Sequence, residues 1–163
     1  MAPLKAPPLQ LLERYRGEEF LPLYTTTVAV TGGETGHGRA SGVARSDDGQ
    51  LELALRLPDA LGGPGTGPNP EQLFAAAYGA CFHGALNLLA ERAGLSVEQA
   101  RVDVRVAFGR DPVDGLYMLT ADVRISLPGV ERRVAEGLVR NAERLCPYTK
   151  MTRQGAAGTV ALV

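Results

Sequence analysis

The stretch NPEQLFAAAYGACFHGALNLLAERAG, residues 69–94, constrains the fold of this chain more than any other. From Leu73 to Ala90 it is almost wholly small or apolar. Asn69 suits an N-cap, Pro70 the first helical position, and Glu71 the positive end of a helix dipole. The spacing predicts a helix from there to about Arg92, stopped by Gly94. The run approaches the roughly 20 residues needed to cross a bilayer. His83, Asn87 and two glycines interrupt it, and the chain offers no second span. The reading is a helix buried inside protein, with no membrane partner.

Around this helix the chain alternates as strands do. LYTTTVAVTGG is rich in Thr and Val and ends at glycines, as a strand and turn. GRASGVARSDDGQLELALRLP reads as two strands about a turn at Asp47-Asp48-Gly49, with Leu51, Leu53, Leu55 and Leu57 alternating toward one buried face. GGPGTGPNP is a loop. RVDVRVAFGR and GLYMLTADVRISLPG form a hairpin across DPVDG. GVERRVAEGLVRNAERL places Val130, Val134, Leu138 and Leu145 on one side of a surface helix. That helix should end near Cys146, because Pro147 follows. GTVALV is expected as a closing strand. The order β-β-β-α-β-β-α-β gives an α+β domain built on antiparallel sheets. Residues 1–22, Pro-rich and then charged, are expected as an N-terminal extension in which LQLLERYR forms a short amphipathic helix. Residues 23–163 are expected as a single domain.

With 163 residues, 17 basic and 18 acidic, the chain shows no basic block, and nucleic acid is a poor partner. The N-terminus lacks an uninterrupted apolar segment and does not read as a secretory signal. Two cysteines without such a signal imply a reducing, cytoplasmic setting, where a disulfide is catalytic or sensing rather than static. His37, Cys81, His83 and Cys146 lack the paired spacing of a structural zinc site, so none is expected.

Cysteine packs well as a small hydrophobe, and the spacing alone favours core for both Cys81 and Cys146. A reactive Cys81 needs a thiolate, and burial in an apolar helix opposes one. Cys81 lies about three turns from the helix N-terminus, beyond the dipole's reach. A cation must therefore come from elsewhere in the fold. Arginine suits best because it stays charged when partly buried, and a carboxylate could hold it in place.

The segment NPEQLFAAAYGACF, followed by CPYTK with Cys146 lying 65 residues beyond Cys81, resembles the organic hydroperoxide resistance branch of the OsmC/Ohr family. The GGPGTGPNPEQ loop and the SDDGQLELALRLP hairpin share the likeness, which runs from about Leu23 to the end. The resemblance implies an interwoven homodimer with a buried central helix that carries Cys81. It implies a thiol peroxidase without metal or haem. Cys81 would attack an organic or fatty-acid hydroperoxide and become a sulfenic acid. Cys146 would close a disulfide with it, and a dithiol, typically dihydrolipoamide on a lipoylated protein, would reduce that disulfide. Apolar surroundings would favour alkyl peroxides over hydrogen peroxide.

The same resemblance assigns Glu71 to orienting the activating arginine. The family carries that arginine just after the glycine turn that follows the first strand. Here Glu34 holds the slot in TGGETGHGRASG, the loop is longer, and Arg39 restores the pattern, with Arg45 next in line. On one straight helix Glu71 and Cys81 would stand about 15 Å apart and about 80° around the axis. Arg39 and Glu71 are therefore expected to serve the Cys81 of the other subunit. Phe74 and Tyr78 share a helical stripe with Cys81 and are candidates for substrate binding or for plain packing. His83 lies about 200° around the helix and is not expected as a base. The alternatives are a non-enzymatic redox sensor, a lipid-binding module, a broader OsmC-type peroxidase, and a structural dimer with inert thiols.

Overall fold

A computed structural model describes residues 13–34 and 40–163. The chain divides into two compact units, Met1–Gly67 and Pro68–Val163.

In the first unit three short strands form an antiparallel sheet in sequence order, β1 (Val28–Thr31), β2 (Val43–Ser46) and β3 (Glu52–Ala54). Val28 opposes Ser46 and Val43 opposes Ala54. The turn between β2 and β3 is held by Asp48, whose carboxylate accepts from the Ser46 hydroxyl at 2.6 Å and the Gln50 N–H at 3.0 Å. Those bonds hold its carboxyl below the usual range. Gly49 supplies the positive φ of +70° that the turn requires. The expected leucine alternation is graded: Leu55 and Leu57 are buried, Leu53 is half-buried and Leu51 is exposed. The strand stops at Ala54, so only the residues that follow it reach the interior.

In the second unit α1 (Pro70–Arg92) crosses the hairpin of β4 (Arg101–Arg110) and β5 (Tyr117–Ser126). The two strands pair antiparallel along their full ten residues, from Arg101 opposite Ser126 to Arg110 opposite Tyr117. Val102, Val104, Ala121, Val123 and Ile125 turn toward α1, while the charged residues between them face out. α1 starts as its sequence predicts. The Asn69 side chain accepts from Gln72 N–H at 2.9 Å, and the Gln72 side chain accepts from Asn69 N–H at 3.1 Å, closing a capping box behind Pro70. Gly94, at φ +67°, follows its end.

α2 (Arg132–Leu145) and α3 (Pro147–Gln154) pack on α1 and on each other. The core joins Tyr78, Phe82, Leu86 and Ala90 of α1 to Leu138, Ala142 and Cys146.

The structure departs from the sequence reading at the α2 stripe, the C-terminus and the N-terminal segment. Of the stripe predicted for α2, Leu138 is buried but Val134 and Leu145 are 41% and 42% exposed. The buried line is Leu138, Ala142, Cys146, an i, i+4 row that uses a small residue where α1 comes close. The closing strand is absent: residues 155–163 are irregular, and Val160, Leu162 and Val163 are fully exposed. Strand-like composition without a ladder partner does not make a strand. The residues before it form α3, a helix not expected from the sequence. Finally, the short helix expected in LQLLERYR lies partly outside the described residues, and Glu13–Arg16 is not helical.

α1 is long and apolar enough to cross a membrane by length and composition. In the structure it packs against its own unit and buries one stripe at four-residue spacing. In the single chain the helix expected to lie buried inside protein is covered on one side only, and Ala76, Ala80 and Gly84 are exposed.

Candidate active site

The chain's two cysteines meet in the second unit. Cys81 projects from the middle of α1 and is half-buried. Cys146, 1% exposed, is the hinge between α2 and α3: it ends the first helix and caps the second. Its N–H still donates to Ala142 O at 2.9 Å, while its own carbonyl accepts from Lys150 N–H at 3.2 Å. Pro147 forces the junction, because the residue before a proline is driven into extended backbone, and Cys146 adopts φ −74°, ψ 114°. The same proline is favourable at the first position of α3.

Both cysteines are free thiols of one core cluster, near enough for Cys146 to act on the ionisation of Cys81. Burial pushes the Cys81 thiol up to about 11, and the neighbouring Cys146 thiol adds to the rise. The backbone N–H of Tyr148 acts the other way, donating toward the Cys81 sulfur and favouring its charged form. The expected opposition between burial and ionisation is thus present in the folded chain.

The wall of the site is aromatic. Phe74, Tyr78 and Tyr148 form a triangle with ring centroids 6.0–6.3 Å apart, and Tyr78 and Tyr148 lie nearly parallel at 22°. Phe74 and Tyr78 also line a cavity of about 690 Å³, whose walls are mixed: Phe82 and Leu119 are apolar, while Asp122, Glu143 and Arg153 bring charge. Cavities of this size hold small organic molecules. Cys81 itself is not among the lining residues.

The other candidates are distributed differently. Glu71 is half-buried in the first turn of α1. α1 is unbroken from Pro70 to Arg92, so Glu71 stays about 15 Å along the axis from the Cys81 of its own chain. Arg39 and His37 lie outside the described residues. Arg45 sits on β2 and forms an exposed two-point pair with Glu52, Nη2 to Oε1 at 2.8 Å and Nε to Oε2 at 3.2 Å. His83 is exposed, with its ring against the Asn87 amide. Among the described residues no group of three His, Cys, Asp or Glu side chains could hold a metal ion.

Sequence reasoning missed Tyr148 and Thr149. Thr149 is buried and accepts a hydrogen bond from the Tyr78 hydroxyl at 3.1 Å. The signal was Pro147: a proline directly after an extended residue opens a new helix, and its second and third residues then turn back onto α1.

Fold and site together define a small α+β protein with a neighbouring pair of thiols in an aromatic and aliphatic core. The family model described as OsmC-like protein matches residues 63–160. An organic hydroperoxide resistance protein of Xanthomonas axonopodis pv. citri is 37% identical over 142 residues, 86% of this chain and 94% of that protein. OhrB of Bacillus subtilis, also an organic hydroperoxide resistance protein, is 35% identical over 133 residues, 82% of this chain and 93% of its own length. The crystal structure of a Legionella pneumophila organic hydroperoxide resistance protein superposes with a TM-score of 0.71 at 36% identity, covering 83% of this chain and 93% of that one. The chain belongs to the OsmC-like family, and within it to the organic hydroperoxide resistance branch.

Proposed function

We propose that this protein is a cysteine-based reductase of organic hydroperoxides. The observation that carries the reading is the placement of two free thiols side by side, one on α1 and one at the start of α3, against an aromatic wall. The names of its relatives supply the substrate class.

In this reading the Cys81 thiolate attacks the terminal oxygen of ROOH. The O–O bond breaks, a Cys81 sulfenic acid forms, and the alkoxide leaves as ROH after taking a proton. The Cys146 thiol then attacks the Cys81 sulfur. A disulfide forms and the sulfenic oxygen departs as water. Two exchange steps with an external dithiol, such as dihydrolipoamide on a lipoylated protein, return both thiols. Such recycling suits a reducing, cytoplasmic setting. The cavity bounded by Phe74 and Tyr78 would take the alkyl chain of the peroxide.

Arg39 and Glu71 complete the site in this reading. Glu71 cannot reach the Cys81 of its own chain along an intact α1, so the pair acts across a homodimer. The exposed Ala76, Ala80 and Gly84 on an otherwise apolar helix support a second copy as cover.

One observation favours a rival. Within its own unit Cys81 is pushed up to about 11, as an inert core thiol would be. Stopped-flow oxidation of the reduced protein by a long-chain alkyl hydroperoxide, with hydrogen peroxide alongside, separates the two. Fast, alkyl-selective oxidation ending in a Cys81–Cys146 disulfide is expected. It should vanish in Cys81→Ser and halt at a sulfenic acid in Cys146→Ser. Slow, unselective oxidation of both cysteines returns Cys81 to the core. Rapid oxidation with slow turnover by every dithiol tried would make the protein a sensor.

A further inference from the structure

Two buried hydroxyls beside the thiol pair take no part in the peroxide chemistry. The Tyr78 hydroxyl donates to Thr149 Oγ1 at 3.1 Å across 71 residues of chain. Both residues are buried, at 5% and 4% exposure. Tyr78 lies one turn before Cys81 on α1, and Thr149 lies in the first turn of α3, three residues after Cys146. Tyr148 precedes Thr149 on α3, and its ring stacks on Tyr78 with centroids 6.0 Å apart. Its N–H is the backbone donor aimed at the Cys81 sulfur. One hydrogen bond thus ties the helix that carries Cys81 to the helix turn that carries both that donor and the second sulfur.

We propose that Tyr78 and Thr149 are positioning residues, whose hydrogen bond holds the first turn of α3 so that the Tyr148 amide and the Cys146 sulfur stay on Cys81. A backbone N–H stabilises a thiolate only while its distance and alignment hold, since a hydrogen bond weakens steeply as its angle opens. α3 has only eight residues, and the chain beyond it is exposed and irregular. A short terminal helix of this kind frays readily unless tertiary contacts tie it down. With the aromatic stack and the exposed Arg153–Glu143 pair that joins α3 to α2 at 3.1 Å, this hydrogen bond is such a tie. The bland reading is that it merely satisfies two buried hydroxyls. That reading predicts a change in stability and none in the ionisation of Cys81.

The titratable groups of the core about Cys81 are the Tyr78 phenol on α1, the Cys146 thiol at the end of α2 and the Tyr148 phenol on α3, and Asp122 of β5, Glu143 of α2 and Arg153 of α3 line the adjoining cavity with Tyr78. From the hairpin, Val102, Val104, Ala121 and Val123 pack against this core. The proposal rests on the thiol-pair reading of the site, but not on peroxide being its oxidant.

The test is the rate of Cys81 alkylation by iodoacetamide against pH, in a Cys146→Ser background, for Tyr78→Phe, Thr149→Val and Thr149→Ser. Tyr78→Phe and Thr149→Val are each expected to slow alkylation about three- to tenfold at a fixed pH below the midpoint, and to move the midpoint upward to match. Thr149→Ser should keep the parental profile, because it keeps the hydroxyl. With Cys146 restored, diamide, which oxidises dithiols without peroxide, should close the disulfide more slowly in Tyr78→Phe and Thr149→Val. Profiles that coincide with the parent in both Tyr78→Phe and Thr149→Val overturn the proposal, as does a Thr149→Ser profile shifted as far as that of Thr149→Val. Tyr78→Phe keeps the ring and its stack, so it decides alone if Thr149→Val fails to fold. Neither readout uses a hydroperoxide. A protein inert to peroxides would sink the functional reading, and alkylation would still decide the roles of Tyr78 and Thr149.

Discussion

Thiol chemistry at Cys81 depends on how much of the sulfur is charged. With the thiol raised from 9.0 to about 11 by burial and by Cys146, the thiolate at pH 7 is about one part in ten thousand. The Tyr148 amide only partly opposes that rise. A nearby guanidinium would favour the charged form and move the midpoint down, which is the work assigned to Arg39. The sign is therefore fixed. Below its midpoint the alkylation rate of Cys81 climbs about tenfold per pH unit. Arg39→Ala should carry that midpoint upward, slowing the reaction at neutral pH. Iodoacetamide kinetics from pH 6 to 11 on Cys146→Ser, with and without Arg39→Ala, check this. An unmoved profile would remove Arg39 from the site and turn attention to Arg45, which would first have to leave Glu52. The cysteines were legible in the sequence as a motif, whereas Tyr148 and Thr149 were not. Their roles come from a backbone amide and from a hydroxyl contact 71 residues away, and neither leaves a local pattern.

At the scale of elements, α1 is the best determined piece. Its Asn N-cap, its Pro at the first position and its glycine stop are all readable in the chain itself. Asn69→Ala removes the side-chain acceptor for Gln72 N–H and should cost about 1 kcal/mol. Leu86 is wholly buried, and Leu86→Ala should cost about 3–5 kcal/mol through lost burial and the cavity left behind. Urea unfolding of the reduced protein measures both. A smaller loss at Leu86 than at Asn69 would contradict the packing described. α2 was readable in its bounds but not in its face. Val134 and Leu145 have the right chemistry for a core stripe, yet the approach of α1 selects the row through Ala142. α3 and the expected terminal strand were misread together. Composition marks β-propensity in GTVALV, but a strand exists only where an edge accepts it.

At the scale of the whole molecule, the proposed site needs two chains. If Glu71 of one subunit serves the Cys81 of the other, two inactive variants should rescue each other. Cys81→Ser and Glu71→Ala, unfolded together and refolded as a mixture, should recover about a quarter of wild-type peroxidase activity, since about half the dimers are mixed and each has one intact site. The separately refolded proteins should show none of this gain, and sedimentation should report dimers throughout. A mixture no better than its parts would place Glu71 outside the site, or in its own chain's.

The amino-acid sequence by itself determined the α+β order up to Cys146, the ends of α1, both hairpins and the identity of the two cysteines. Each of these rests on local rules, namely caps, turn residues, periodicity and proline sterics, or on a motif short enough to read. Only the tertiary structure decided which face of α2 is core, that a helix follows Cys146, and that the Tyr78 hydroxyl bonds Thr149. Those outcomes depend on which surfaces approach within a few ångströms after folding. Chain spacing carries no record of such distances, because burial, hydrogen bonding and thiol ionisation answer to neighbours in space.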